Sequence, residues 1–447
     1  MTPLFRLARG LARGLGRIGL AIVAVLGVLV VFVALIVATD GVDFGVVAWV
    51  ATAAVTVGTG LWLTRKRSGG ARLVRLLPTA LALLLAASVC VPTVSTHRRV
   101  PAAPPGVASR SWGLSTGSRL AVYHYPPAPG SVRRPRPLLY LNGGPVRGIS
   151  LLDHGFLRQL AAQGYDVYAY EEAGGGRSGL LPMSRYTITR EVDDLGAFVD
   201  KLGRGPIDVL GFSSGAVVLT RALADPPVAA RLHRAIIADP GPMDGPTSRI
   251  KGQEGQPNAK GIAPPPAGPR STIVPRYAVG FGLMRLGLLR PDTGLIGQAE
   301  GVNAFTAADL GSDTASGYCA RDAHRIPIED SASNFSFSAA ASLQVQQTIK
   351  DSPSIAPELG RSRTPAMLMI AECSAQIRQW ATSILLDDPS VERTQLMPGV
   401  GHHMWNGLDD NDARAFAVID AFLRGRPAAL PNYPTRADVP AFLGDGR

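Results

Sequence analysis

The stretch IDVLGFSSGAVVLTRALA, residues 207–224, decides the fold of this chain. Its first four residues form a short run typical of a buried strand, and the run from Ala216 to Ala224 has a helical pattern. Between them, the pattern Gly-x-Ser-x-Gly places Ser213 at a sharp bend, where flanking side chains larger than hydrogen would collide with the strand and the helix. This context predicts that Ser213 is a nucleophile raised above a parallel sheet at a helix N-terminus.

A serine nucleophile needs a base within hydrogen-bond reach, and this arrangement takes its base from beyond the last strand. Of the seven histidines, only His402 and His403 lie there, in a glycine-containing loop before the predicted helix Ala413 to Leu423. We therefore predict that His402 is the base and that His403 is a neighbouring packing or pocket residue.

Glycines also follow the predicted strand Pro137 to Leu141. Gly143 and Gly144 would let the backbone approach a substrate closely, so we expect an oxyanion donor there, although an ordinary turn is the alternative. The backbone N–H of Ser214 is predicted to be the other donor.

Short apolar runs alternate with helical patterns along the second part of the chain, which is typical of an α/β fold with a mostly parallel sheet. Helices are expected on both faces of the sheet. Leu120 to His124 is predicted to begin the sheet as an edge hairpin strand. Further strands are predicted at Pro137–Leu141, Tyr165–Tyr170, Ile207–Leu210, Ala235–Ala238 and Ala366–Ile370.

Composition divides the chain into a membrane part and a globular part. The predicted segments are a membrane anchor at 1–98, a Pro-rich linker at 99–110, the first part of the core at 111–240, a helical cap insertion at 241–364, the second part of the core at 365–430 and a C-terminal tail at 431–447.

Three apolar stretches in the anchor have the length of a transmembrane helix, at about residues 18–38, 44–63 and 76–94. A cleaved signal peptide is the alternative for the first. Arg and Lys residues cluster before the first stretch and between the second and third, which predicts that these segments are cytoplasmic. The chain is therefore expected to be a multi-pass protein of the cell membrane with an extracytoplasmic globular domain.

The formal charge of +11 belongs mainly to the anchor. Residues 1–100 contain eleven Arg or Lys and two Asp, a net of +9, which leaves +2 for the rest. This distribution argues against a nucleic-acid partner. No metal cluster, phosphate loop or dinucleotide fingerprint stands out, so no cofactor is expected. The expected partners are a small-molecule or peptide substrate and the lipid bilayer.

The chain has three cysteines, of which Cys90 falls in the third apolar stretch. Cys319 and Cys373 fall in the part predicted to be exported, where they could form a disulfide or remain as two buried thiols. The sequence leaves both alternatives open.

Four motifs together resemble the proline iminopeptidase branch of the α/β-hydrolase superfamily. The family's His-Gly-Gly-Pro-Gly loop is replaced by residues 142–146, NGGPV, and its Asp-Gln-x-Gly-x-Gly-x-Ser motif is matched by residues 171–178, EEAGGGRS. Its nucleophile turn and its Gly-x-Gly-His loop match residues 211–215 and 399–402. The resemblance covers about 120–239 and 365–423, and it implies hydrolysis of a peptide, amide or ester bond beneath a helical cap.

The chain departs from this family at the third catalytic residue. The family places an aspartate four residues into the turn after the penultimate strand, where this sequence has Ser374. Asp239, at the end of the strand after the nucleophile helix, is the predicted substitute, since some relatives in the superfamily take their acid from that strand. Glu372 and the absence of any acid are the alternatives.

Three functions therefore remain open. The first is an aminopeptidase-like serine peptidase, and the second is the same serine chemistry on a carboxyl ester or membrane lipid. The third is a catalytically weak binding module, which the serine at the aspartate position favours.

Overall fold

The computed structural model describes residues 108–241, 286, 319, 339–374 and 378–444. Apart from Leu286, these residues belong to one compact unit formed by residues 99–272 and 298–447. Within the described ranges, no helix is long and apolar enough to cross a membrane. The three predicted spans and most of the predicted cap insertion lie outside the described residues.

In the part of the chain that the structure describes, eight strands form one sheet. They are β1 (Ser109–Gly113), β2 (Arg119–Tyr125), β3 (Pro137–Leu141), β4 (Asp166–Glu171), β5 (Ile207–Phe212), β6 (Leu232–Ala238), β7 (Ala366–Ala371) and β8 (Val391–Met397). Their order in space is β1-β2-β4-β3-β5-β6-β7-β8. The pairs β1–β2 and β2–β4 are antiparallel, and all other neighbours are parallel. The predicted mostly parallel sheet is confirmed.

The ends of the sheet differ from the prediction. The segment Leu120 to His124 lies in β2, which is not the edge strand, because β1 pairs along its outer side. Strand β1 begins at Ser109, inside the predicted linker. Its residues are partly or fully exposed, so the strand lacks the apolar run by which buried strands are recognised.

Nine α-helices are described in these residues. They are α1 (Leu151–Ala162), α2 (Ile188–Leu202), α3 (Ser214–Leu223), α4 (Pro226–Ala229), α5 (Ala339–Asp351), α6 (Ala356–Leu359), α7 (Arg378–Asp387), α8 (Asn411–Leu423) and α9 (Val439–Gly444). Helix α1 begins with a capping box between Ser150 and Asp153, and α2 ends at Gly203 in the left-handed conformation.

Helices cover both faces of the sheet. On one face, Phe156 of α1 and Phe422 of α8 are fully buried with Tyr140 of β3 and Met367 of β7. Burying a large apolar side chain of this kind contributes roughly 1.5–3 kcal/mol. On the other face, α3 packs against β5 and β6, and α2 packs against α3. Packing of helices on both faces stabilises the sheet. The predicted site residues lie at one edge of it, at the carboxyl ends of the parallel strands.

The segment predicted as a C-terminal tail is part of the core. Tyr433 forms a parallel bridge with Gln395 of β8. Further on, Phe442 is buried against Ile370 of β7 and Ala381 of α7. This phenylalanine belongs to the short helix α9, so the described part of the predicted tail packs against β7 and α7.

A disulfide joins Cys319 to Cys373. Of the two alternatives left open by the sequence, the structure therefore shows the paired cysteines. Cys319 is buried and lies in the predicted insertion, whereas Cys373 lies in the turn after β7. The bond thus attaches the insertion to the core next to the loop that carries His402, since the backbone N–H of Cys373 donates to Val400.

Candidate active site

Ser213 occupies a strained bend between β5 and α3. Its φ of 54° and ψ of −113° lie outside the regions that L-residues ordinarily adopt. The flanking glycines are sterically required, because a Cβ at Gly211 would lie 2.5 Å from the Gly215 carbonyl oxygen, and a Cβ at Gly215 would lie 2.3 Å from that of Leu141. The predicted strand, turn and helix are present, and the bend raises the Ser213 hydroxyl above the sheet.

Three predicted residues form a hydrogen-bonded chain. The Ser213 Oγ is 2.9 Å from His402 Nε2, and His402 Nδ1 is 2.6 Å from Asp239 Oδ2. Asp239 is fully buried, while the imidazole retains 17% of its exposure. The arrangement lets the imidazole accept a proton at Nε2 while its Nδ1–H donates to a carboxylate.

Asp239 is fixed by two hydrogen bonds to the neighbouring strand β7. It follows β6 directly, and its φ of 44° turns the chain away from the sheet. Its Oδ1 accepts the backbone N–H of Ala371 at 3.0 Å, and its own N–H donates to Met369 at 2.8 Å. Oδ1 is therefore held by β7 while Oδ2 faces His402.

The two other positions considered for the acid have different contacts. Glu372 accepts the backbone N–H of Gly399 at 2.7 Å, so it supports the loop that carries His402. Ser374, at the family's aspartate position, is buried and its N–H donates to Ala371. Of the alternatives left open by the sequence, Asp239 is the one in contact with His402.

The predicted oxyanion donors lie beside Ser213. A Cβ added to Gly143 would lie 2.8 Å from the Phe212 ring and 3.1 Å from Ser213 Cβ, so only glycine brings its backbone this close to the hydroxyl. Gly144 has a φ of 64°, in the left-handed region that favours glycine. Ser214 is the first residue of α3, where backbone N–H groups have no partner within the helix.

A buried polar network, which the sequence analysis missed, supports the histidine loop. Asp153 Oδ1 accepts Trp405 Nε1–H at 2.7 Å and the Tyr140 hydroxyl at 2.8 Å. The Trp405 ring contacts Phe212, whose ring in turn lies 4.9 Å from that of His402. The link from Asp153 to Trp405 spans 252 residues and has no local signal in the sequence.

Two buried glutamates, also missed, hold the loop after β3. Glu171 Oε1 accepts the N–H of Ile149 at 3.2 Å, and Glu172 Oε2 accepts that of Val146. Burial raises the pKa of Glu172 to about 8 and raises that of Glu171. The loop 142–149, which contains the predicted oxyanion donor Gly143, is therefore tied to the carboxyl end of β4.

Asn142 takes the place of the histidine in the family loop. Its side-chain amide donates to the Gly148 carbonyl at 3.0 Å and closes the loop on itself. Among the residues that the structure describes, no group of three or more His, Cys, Asp or Glu side chains could hold a metal ion.

Several solved structures are similar to this chain at low sequence identity. An enol-lactonase from Burkholderia xenovorans is 17% identical with a TM-score of 0.48, over 70% of this chain and 100% of its own. An esterase from Exiguobacterium antarcticum is 13% identical with a TM-score of 0.46, over 71% and 100%. The N-formylmaleamic acid deformylase of Pseudomonas putida is 19% identical with a TM-score of 0.42, over 68% and 98%.

No curated protein sequence matches the chain. The model of the alpha/beta hydrolase family matches residues 138–418, which include the bend at Ser213, Asp239 and the His402 loop. The match extends over more than half of the chain and over six strands of the sheet. The chain therefore belongs to the alpha/beta hydrolase family.

Proposed function

We propose that this protein is a serine hydrolase that cleaves a carboxylic ester or amide through an acyl-enzyme. The observation that carries the proposal is the chain of contacts from Ser213 through His402 to Asp239, with 2.9 Å and 2.6 Å between the bonded atoms. The binding-module alternative loses its main support, because it rested on a missing acid.

In the acylation step, Ser213 Oγ attacks the substrate carbonyl carbon and its proton moves to His402 Nε2. Asp239 accepts the hydrogen bond from Nδ1–H and stabilises the resulting imidazolium. The backbone N–H groups of Ser214 and Gly143 donate to the oxyanion. When the bond to the leaving group breaks, His402 returns the proton to that group and leaves an acyl ester on Ser213.

Water completes the reaction by the same route. His402 Nε2 takes a proton from the water as its oxygen attacks the acyl carbon, and the proton returns to Ser213 Oγ when the acid product leaves. Each residue is restored to its starting state, so the cycle consumes one water and needs no cofactor.

The proline-iminopeptidase type of specificity stays a prediction. It rests on the resemblance of the motifs, and Asn142 and Val146 both depart from the family loop. Peptidase and esterase differ in the leaving group, so rates on amino-acid arylamides and on nitrophenyl esters will separate them.

The test of serine chemistry is covalent labelling. A fluorophosphonate probe should label the full chain, and Ser213→Ala should lose both the label and turnover while its circular dichroism spectrum is unchanged. Ser214→Ala is the matched control, because its hydroxyl is adjacent but its proposed role is through the backbone. Undiminished labelling or hydrolysis by Ser213→Ala would exclude Ser213 as the nucleophile.

We also propose that the hydrolase domain is tethered outside the cytoplasm by the apolar N-terminal segment. The charge pattern of residues 1–100 supports this topology, and the Cys319–Cys373 disulfide is typical of an oxidising compartment. After cell fractionation, the chain should stay in the membrane pellet at alkaline pH. The domain should be digested by protease added to spheroplasts, and its protection would refute the orientation.

A further inference from the structure

The oxyanion loop, residues 142–149, contains a valine in a conformation that suits glycine. Val146 has a φ of 59° and is 1% exposed. A β-branched residue in the left-handed region is a steric outlier, because its side chain crowds the backbone. In the loop of the family that this chain resembles, the corresponding residue is glycine. Some interaction must therefore hold Val146 in place.

Glu172 supplies that interaction. Its carboxyl Oε2 accepts the Val146 backbone N–H, and the N–H of Arg147 is a second donor to the same group. Glu172 follows β4 directly and is 92% buried, since its exposed fraction is 8%. The family motif has glutamine at this position, so both members of the Glu172–Val146 contact differ from the family.

The oxyanion loop, which the Glu172–Val146 contact holds, lies beside Ser213. Gly143 precedes Val146 by three residues, and a Cβ there would lie 3.1 Å from Ser213 Cβ. Gly144 is also left-handed, with a φ of 64°, so the direction of the Gly143 N–H depends on a short, tightly turned segment. A relaxation of Val146 would rotate peptide groups within that segment.

Other titratable groups surround Glu172. Arg190, Glu191 and Asp194 of α2 line the same cleft as Glu172. The side chain of Tyr170 lines it as well. Arg147 approaches Glu172 from the loop. Glu191 Oε2 is buried and has no hydrogen-bond partner among the described residues. Burial of its own carboxyl favours the neutral form of Glu172, and a neutral carboxyl still accepts the Val146 N–H.

We propose that Glu172 is a positioning residue, whose carboxyl oxygen holds Val146 in the left-handed conformation and so directs the Gly143 N–H at the oxyanion. This inference rests on the proposed function of Ser213. It assigns no contact between Glu172 and the substrate. Its effect is expected in the transition state, where the oxyanion forms, and so in kcat with little change in KM.

The test compares four variants of the full chain on a nitrophenyl ester: Glu172→Leu, Glu172→Gln, Val146→Gly and the double variant Glu172→Leu/Val146→Gly. Glu172→Leu removes the acceptor and should lower kcat at least about tenfold with KM within about threefold, as the loss of a transition-state contact does. Glu172→Gln keeps an acceptor oxygen and should stay within about threefold of the wild type.

Rescue by glycine is the decisive comparison. Glycine adopts a positive φ without steric cost, so the double variant should recover kcat to within about threefold of Val146→Gly alone. An equal loss in Glu172→Leu and in the double variant would overturn the proposal, as would wild-type kcat in Glu172→Leu. If Glu172→Leu fails to fold but the double variant folds, strain at Val146 is the cause of the unfolding, as the proposal expects. If both variants fail to fold, the proposal is wrong.

Labelling by the fluorophosphonate probe separates this proposal from the proposed function. Label that persists on Ser213 in an unrescued double variant refutes the positioning role alone. Hydrolysis that survives Ser213→Ala refutes the function on which that role depends.

Discussion

Replacing Asp239 by asparagine is the sharpest perturbation of the proposed mechanism. The side chain is fully buried, and its Oδ1 accepts the Ala371 N–H at 3.0 Å. An asparagine would keep its carbonyl oxygen on that N–H and turn its NH2 towards His402 Nδ1. The imidazole would then have to accept at Nδ1 and carry its proton on Nε2, where it could no longer take the proton of Ser213.

The expected loss follows from the charge that is removed. With Nδ1 and Oδ2 2.6 Å apart, the centres of charge in the imidazolium–carboxylate pair are roughly 4 Å apart, an attraction of about 4 kcal/mol at an effective dielectric constant near 20. That corresponds to roughly a thousandfold in rate. The wrong tautomer adds to this, so kcat should fall by about 10³ to 10⁴.

Steady-state hydrolysis of a nitrophenyl ester measures the effect, with Glu372→Gln as the control. Glutamine at 372 still offers an oxygen to Gly399 N–H, so this variant should stay within about threefold of wild-type kcat. The reasoning is refuted if Asp239→Asn keeps more than a tenth of the wild-type kcat, or if Glu372→Gln is the slower of the two.

Three further predictions concern stability. Cys373→Ser opens a disulfide between residues 54 apart in the sequence, so the free energy of unfolding should fall by up to about 4 kcal/mol in a urea titration; no shift in midpoint would contradict this. Gly215→Ala places a Cβ 2.3 Å from the Leu141 carbonyl oxygen and should cost about 1–3 kcal/mol, whereas an unchanged melting temperature would mean that the bend can relax. Burial raises the pKa of Glu172 from 4.5 to about 8, so between pH 5 and pH 7.5 the folded state keeps a proton that the unfolded state has lost. Stability therefore falls as pH rises, by up to about 1.4 kcal/mol per pH unit, and Glu172→Gln should show a flatter profile in urea titrations at pH 5.5 and 7; parallel profiles would count against the raised pKa.

The bend at Ser213 and the loop at His402 could be predicted because each has a local signal. The Gly-x-Ser-x-Gly pattern lies between a strand-like run and a helical run, and chain order restricts the base to His402 or its neighbour. Gly211 is required by the backbone of Gly215, four residues on, whereas Gly215 is required by the distant carbonyl of Leu141. Asp239 could be proposed from its place at a strand end. Only the folded chain distinguishes it from Glu372, because the choice depends on which strand end faces the imidazole.

Strand β1, helix α9 and the burial of Glu172 could not be predicted, because no local sequence pattern marks them. Strand β1 is half exposed and lacks an apolar run. Residues 431–447 were predicted to be a tail, because Phe442 of α9 is buried by residues that are far away in the sequence. Glu172 is one of two adjacent glutamates in a glycine-rich segment, which reads as a solvent-exposed turn. Its burial follows from the position of β4 between β2 and β3 in the sheet, with Phe198 of α2 against Tyr170 of β4, which a single sequence does not reveal.

The source of the carboxylate has a consequence for the turn after β7. The carboxylate in contact with His402 follows β6, so the turn after β7 makes other contacts. Glu372 accepts the Gly399 N–H and the Cys373 N–H donates to Val400, so this turn holds the histidine loop. Cys373 also joins the turn covalently to a residue 54 positions earlier, and the histidine loop and the inserted segment therefore share one point of attachment to the sheet.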